Sequence, residues 1–341
     1  MEHPPRSVFR QNLHRRLGAS GSGFAFLLRC LLAVKLFRGL SKTFRECGFP
    51  VDGRSLGRYI DAVRKGPAMR TTVIISVVIL LGISAPAQRT RLEDLHDRTI
   101  LVFTPHPDDD VFGAGGTIAL LNRNHNKVYI VVYTNDDKGS YDPEMSSQRL
   151  AQIRKSEEEA SEGALGTPKE NISWMGYDDG MLEYAPQPKL VEEATAIIRR
   201  VRPDVLLSVD PGEWYERWHK TDHRMAAFNT IDAVRAAEFW LYFPNQKLQL
   251  GLQPYRVPEM YFFYPSPQEA NYFVNIDPVA ELKFDAAAKQ VSQFEPAVNK
   301  YRSDWNPVDL AKAKSEMRHE QPRKDGHYVE AFRYSTGFVQ Y

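Results

Sequence analysis

The chain has 341 residues, 43% hydrophobic and 26% charged, which are the proportions of a folded globular protein and exclude a disordered or fibrous one. Its net charge of +1 conceals an asymmetry: residues 1–68 carry 13 Lys/Arg against 4 Asp/Glu, so the remainder is net acidic and offers nucleic acid no electrostatic footing. Both cysteines, Cys30 and Cys47, fall in those first 68 residues, so the body has no disulfide or thiolate ligand and must hold any metal with His and carboxylate.

Residues 1–68 read as upstream sequence assigned to the chain by a mis-placed start, or as a basic extension with Phe24 to Leu40 forming an amphipathic helix. Met69-Arg70 then supplies a start and a positive charge. Val73 to Ile83 is an apolar run interrupted only by Ser76 and Gly82, and Ala85-Pro86-Ala87 is a small-x-small cleavage pattern. This is the order of a secretory signal peptide. Its apolar core of about 11 residues is well short of the ~20 that span a bilayer as a helix. The expectation is export to the periplasm or the extracellular space with a mature chain of residues 88–341, or membrane anchoring if the signal stays uncleaved.

From Thr99 onward, short apolar runs alternate with helical periodicity, the pattern of a parallel sheet built from βαβ units. Strands are expected at Thr99–Thr104, Val128–Thr134, Asn171–Met175 and Val205–Val209. Helices are expected at Gly115–Asn124, Ser147–Leu165, Lys189–Val201 and Asp222–Ala237. Late strands at Glu259–Tyr264 and Tyr272–Ile276 and a helix over Val279–Gln293 complete one α/β domain of about 250 residues. The fold class is a Rossmann-like, mostly parallel sheet with helices on both faces.

In such sheets ligands sit beyond the carboxyl ends of the strands. The first strand runs directly into His106-Pro107-Asp108-Asp109-Asp110. Consecutive carboxylates repel one another, so three in a row call for a cation or good solvation. A second cluster, Trp218-His219-Lys220-Thr221-Asp222-His223, lies after the fourth strand at the start of a helix. Imidazole and carboxylate are the ligands zinc accepts where cysteine is absent, and a catalytic site needs three of them plus an open position.

These residues carry a resemblance to the PIG-L/LmbE family of zinc-dependent de-N-acetylases. The first family motif is His-Pro-Asp-Asp-Glu, here His106 to Asp110, and the second is His-x-Asp-His, here ending at His223. The resemblance implies one Zn2+ held by His106, Asp109 and His223, with Asp108 as general base. It implies an oxyanion-stabilising role that falls to His219 or Lys220, because Lys220 stands where the family has its first His. Arg154, in Arg154-x-x-Glu157 ahead of Leu165-Gly166, and Asp179, in Asp179-Gly180, would line a sugar pocket. Ser292-Gln293 and Glu330-Ala331-Phe332-Arg333 are weaker echoes. Asp110, one methylene shorter than the family's Glu, is not a ligand by this mapping. The implied activity is hydrolysis of an N-acyl group, N-acetyl first among them, from an amino sugar or glycoconjugate.

Two other classes are weighed against it. A nucleotide-binding Rossmann protein is suggested by Gly113-Ala114-Gly115-Gly116, but Ile118 occupies the last glycine position of the fingerprint and the Asp triplet would repel a pyrophosphate. A non-catalytic sugar-binding relative would keep the pocket yet release no acetate, and the intact His106, Asp108, Asp109 and His223 argue against it; Trp214, Tyr215 and Trp218 are expected either to stack on a sugar face or to pack their loop onto the body.

Overall fold

A computed structural model describes residues 89–212 and 221–336. The expectations for residues 1–68 and for the signal peptide at 69–87, and those for Trp214, Tyr215, Trp218, His219 and Lys220, lie outside the described residues. Strand β1 (Thr99–Thr104) is apolar and buried from Ile100 to Phe103, as a central strand covered on both faces must be. It pairs in parallel with β2 (Lys127–Thr134) on one side and β4 (Val205–Val209) on the other. Strand β3 (Ile172–Tyr177) lies outside β2, and β5 (Glu259–Phe263) outside β4, both parallel to their neighbours. The remaining strands, β6 (Tyr272–Asn275), β7 (Arg323–Lys324) and β8 (His327–Ser335), are joined to this frame by antiparallel pairing. The sheet order is β3-β2-β1-β4-β5-β8-β6, so the direction of winding reverses between β1 and β4.

Because side chains alternate across a strand, the two faces build two cores. Ile100 and Val102 of β1, Val128, Ile130 and Val132 of β2, and Val205 and Leu207 of β4 face helix α1 (Asp109–Arg123). Leu101, Phe103, Val131, Tyr133 and Leu206 face α3 (Gln187–Val201) and α4 (Thr221–Glu238). Helix α2 (Ser147–Leu165) begins at Ser146, whose hydroxyl accepts from the Arg149 amide, and ends at Gly166 in the left-handed region. Three further helices follow: α5 (Pro244–Leu248), α6 (Ala280–Ala287) and α7 (Pro307–Glu320). Among the described residues, no helix is long and apolar enough to cross a membrane.

Several expected boundaries shift by a residue or two, and three differences stand out. Helix α1 starts at Asp109 instead of Gly115, with Asp109 and Asp110 in its first turn where the helix dipole favours negative charge. The glycines Gly113, Gly115 and Gly116 are therefore inside the helix, not in a phosphate-binding turn. A Cβ at Gly113 would come within 2.5 Å of the Phe263 ring, so the glycine serves close packing of α1 on the sheet. The nucleotide-binding reading loses its loop. The third strand shifts to Ile172–Tyr177, with an irregularity in its pairing to β2 near Thr134. The helix expected over Val279–Gln293 breaks after Ala287 and resumes as a 3-10 turn at Val291–Gln293. There the Ser292 amide and hydroxyl bond to Glu157 at 3.0 and 2.6 Å, partners that a continuous helix would deny them. Helices α5 and α7 and strands β7 and β8 have no counterpart among the expected elements.

Candidate active site

The point where the winding reverses, between the carboxyl ends of β1 and β4, is where an open α/β sheet opens a crevice. Strand β1 delivers His106 to Asp110 to it, and the first turn of α4 delivers Asp222 and His223. Asp109 Oδ2 lies 3.0 Å from His106 Nδ1 and 3.1 Å from His223 Nε2. Residues from two loops more than a hundred positions apart thus put two imidazole nitrogens and one carboxylate oxygen within 4.8 Å of one another. All three side chains are buried.

Behind them stands a layer of carboxylates. His106 Nε2 faces Asp179 Oδ1 and Asp222 Oδ2, each at 3.2 Å. Asp222 is buried and also accepts from the Gly180 amide at 2.6 Å and the Leu182 amide at 3.1 Å, so one carboxylate ties the β3 loop, the His106 ring and the start of α4 together. Gly180 has φ 73°, a conformation that suits glycine and turns its amide toward Asp222. Burial alone would depress the His106 imidazolium, but hydrogen bonds to Asp109, Asp179 and Asp222 outweigh it and hold its pKa well above the usual imidazole range. Burial would likewise raise Asp109, yet the charges and hydrogen bonds of His223 and His106 hold its carboxyl far below the ordinary range. Asp179 is brought down to about 2 against its own burial, chiefly by His106. The pocket therefore favours positive charge at the His106–Asp109–His223 apex.

Such a donor set suits a zinc ion. Two ligand atoms each ~2.1 Å from a tetrahedral metal are about 3.4 Å apart, close to the 3.0 and 3.1 Å separations here. The second nitrogen of His106 meets carboxylates, the arrangement that orients a ligating imidazole and fixes its tautomer.

Asp108 precedes α1 and is half-buried, with φ 153° and ψ −31°, a backbone state strained for a residue with a Cβ. Arg154 is buried and its guanidinium is committed to the protein: Nη1 pairs with Asp136 Oδ2 at 2.6 Å and donates to the Asp136 carbonyl, and Nη2 donates to the Gly139 carbonyl at 2.7 Å. It braces the loop after β2 with these bonds. Asp136 is pushed up to about 6 by burial, against the pull of Arg154, and also accepts from Gln293 at 2.8 Å.

Two neighbours escape a reading of the sequence alone. Asp222 lies inside a quoted motif, and its place one residue before His223 is the available signal. Tyr264 has none. It follows β5 with φ 59°, stacks nearly parallel to the His223 ring at 6.2 Å, and donates from its hydroxyl to the Asp109 carbonyl at 3.0 Å. The residue as a whole is exposed, but desolvation around its hydroxyl, then the nearby Asp109 and Asp108 charges, push its phenol above the usual range. At the end of β4, Asp210 accepts a bidentate pair from Arg333 of β8 at 2.7 and 2.9 Å, which ties the exit of that strand to the late part of the sheet.

Residues 101–234 match the family model for PIG-L, the GlcNAc-PI de-N-acetylase. A diacetylchitobiose deacetylase of Thermococcus kodakarensis is 34% identical over 197 residues, 58% of this chain and 70% of that protein. A probable N-acetyl-alpha-D-glucosaminyl L-malate deacetylase 2 of Bacillus cereus is 29% identical over 121 residues, 34% of this chain and about half (53%) of that protein. Among solved structures, the N,N'-diacetylchitobiose deacetylase of Pyrococcus horikoshii, held with an inhibitor, aligns with TM-score 0.57 and 32% identity, covering 70% of this chain and 84% of that one. The hydratase GalB of Pseudomonas putida shares the fold at TM-score 0.53 and 21% identity, covering 72% and 98%. A site that draws two imidazoles and a carboxylate to the switch point of this fold, with such relatives, places the chain in the PIG-L family of de-N-acetylases, which are amide-hydrolysing enzymes.

Proposed function

We propose that this protein is a zinc-dependent deacetylase that removes the N-acetyl group from N-acetylglucosamine units of a small glycan. The observation that carries the reading is the convergence of His106, Asp109 and His223 at one apex. The substrate class is supported by relatives named for diacetylchitobiose and for N-acetylglucosaminyl malate.

A zinc ion at that apex would supply a Lewis acid that lowers the pKa of water and polarises the amide carbonyl. The chain's own residues do the rest. His106, Asp109 and His223 bind, while Asp179 and Asp222 hold the His106 ring in orientation through Nε2. The Asp108 carboxylate takes a proton from the attacking water and returns it to the nitrogen of the departing amine. His219 or Lys220, just ahead of α4 in the sequence, is the candidate donor to the oxyanion, where a single preorganised donor is worth about 10²–10³ in rate. Asp179, partly exposed beside the apex, is the candidate for sugar hydroxyls. We also infer export through Met69–Ala87, a reading supported by the sequence alone.

Metal analysis of the purified chain together with acetate release from N,N'-diacetylchitobiose and N-acetylglucosamine tests the function. The expected result is about one zinc per chain at the apex and acetate release that chelation abolishes and zinc restores. A zinc-loaded chain that binds the sugar but liberates no acetate would instead make it a non-catalytic relative.

A further inference from the structure

Of the eleven large apolar side chains exposed among the described residues, six fall within residues 239–250: Phe239, Trp240, Leu241, Tyr242, Leu248 and Leu250. Exposed hydrophobics scattered singly need no explanation, but a cluster does. This one begins where α4 ends. Because α4 carries His223 in its first turn, roughly 24 Å of helix separates the cluster from the proposed metal apex.

These side chains do not hang on a loose loop. Arg199, buried near the end of α3, donates from Nη2 to the carbonyls of Ala236, Phe239 and Tyr242 at 2.8, 2.9 and 3.1 Å. Its Nη1 donates to Gln246 Oε1 at 3.0 Å, and Gln246, also buried, donates to the Glu192 carbonyl at 2.7 Å. Lys247 lies over the Trp240 ring at 5.2 Å, which brings α5 against the aromatic run. A buried guanidinium thus fixes the backbone of a segment whose apolar side chains face water. Such a ridge is already ordered for contact, which lowers the entropic cost of binding.

Beside the ridge lies a groove of about 600 Å³ between α3 and α4, with Val191, Met225, Phe228 and Phe243 among its walls. Tyr242 belongs to both ridge and groove. The same lining carries Asp232 and Arg235, one turn apart on α4 and both exposed.

We propose that this face joins two copies of the chain about a twofold axis, the ridge of each seated in the groove of the other and Asp232 of one copy facing Arg235 of the other. A twofold contact uses one patch twice, so the patch must complement itself. A ridge beside a groove, and an acid beside a base, meet that condition. The area fits as well. Side chains of this kind present ~200 Å² each, and at 44–71% exposure the six leave roughly 700 Å² of mostly apolar surface. An ordinary monomer's largest apolar patch is about 300–600 Å², and a standard interface takes ~800 Å² from each partner. Aromatic residues and arginine are also the side chains that interface cores favour. A bilayer would accept the aromatic run but has no use for the groove, and anionic headgroups would repel Asp232. The inference does not rest on the proposed deacetylation.

Sedimentation velocity of the full chain over a range of concentrations tests it. The expected result is a particle of two copies that dissociates on dilution. Leu241→Glu/Leu248→Glu should weaken self-association at least tenfold while keeping the far-ultraviolet circular dichroism of the parent. Asp232→Arg and Arg235→Asp should each weaken it through like charges, and an equimolar mixture of these two variants should recover a mixed dimer. The same runs with vesicles of phosphatidylglycerol and phosphatidylcholine should leave the protein unbound. A parent that stays monomeric at every concentration, or undiminished association in Leu241→Glu/Leu248→Glu, would overturn the assignment. Failure of the charge-swapped mixture to pair would overturn the twofold arrangement, and a monomer carried down by the vesicles would give the patch to a membrane surface instead.

Discussion

Asp108 sits in a strained backbone state immediately before a helix, half-buried beside three groups that gather a positive charge. The two residues that follow it, by contrast, are buried in different clusters: Asp109 in the apex and Asp110 against α2. Three identical side chains in a row thus face three environments, because a helix start rotates successive residues by about 100°. If Asp108 moves the proton, Asp108→Asn should keep its zinc and lower kcat by about 10²–10⁴, whereas His223→Ala should lose the metal itself. Metal content and turnover measured on the same preparations separate the two, and full activity in Asp108→Asn would remove the general-base role. Asp222 acts one step further out. Removing a carboxylate that orients a ligating imidazole commonly costs about 10–100-fold in metal affinity, so Asp222→Ala should show that loss in a competitive chelator titration. An unchanged affinity would leave Asp222 only its two bonds to the Gly180 and Leu182 amides.

Between elements, the site depends on how α2 is held to the segment after α6. Glu157 accepts from the Ser292 amide and hydroxyl, and Arg154, one turn earlier, spans to Asp136. Burial pushes the Glu157 carboxyl up to about 7 in spite of the Ser292 bonds. A carboxyl raised in the folded state favours its protonated form there, so its contribution to stability is complete below the unfolded value of ~4.3. That contribution is lost as pH rises through about 7. The stability gap between the parent and Glu157→Gln should therefore shift in favour of the variant between pH ~4.5 and 7, with a slope of at most about 1.4 kcal/mol per pH unit. Denaturant melts at pH 4, 5.5 and 7 measure it; a gap that stays constant across them would show that Glu157 titrates normally. Helix α1 has a related constraint. Glu330 of β8 accepts from the Gly116 and Thr117 amides at 2.8 and 2.7 Å, so the late strand reaches back to bind the middle of the first helix.

At the level of the whole chain, export is the reading that belongs to no single element. Translation from Met69 in a secretion-competent host should yield a product outside the cytoplasm whose N-terminus is Gln88. N-terminal sequencing decides it, and a cytoplasmic product retaining Met69 would sink the idea. Much of the rest was legible along the chain. The runs at Thr99–Thr104 and Val205–Val209 are short, apolar and punctuated, and both are strands at the bounds expected. The stretch Ser147–Leu165 is a helix at its expected ends, because Ser146 and Gly166 mark them chemically. Local patterning determined these elements and their parallel winding, since burial on both faces demands apolar runs and capping demands particular residues. It pointed to the two clusters around His106 and His223 as ligand-rich, and the family resemblance then chose His106, Asp109 and His223 from them. It could not find Tyr264, or see that Arg154 braces the loop after β2 and that Asp110 meets Glu158 and Glu162. Those pairings join segments tens to more than a hundred residues apart, and only the packing of α1, α2 and the sheet edge decides which side chains face one another.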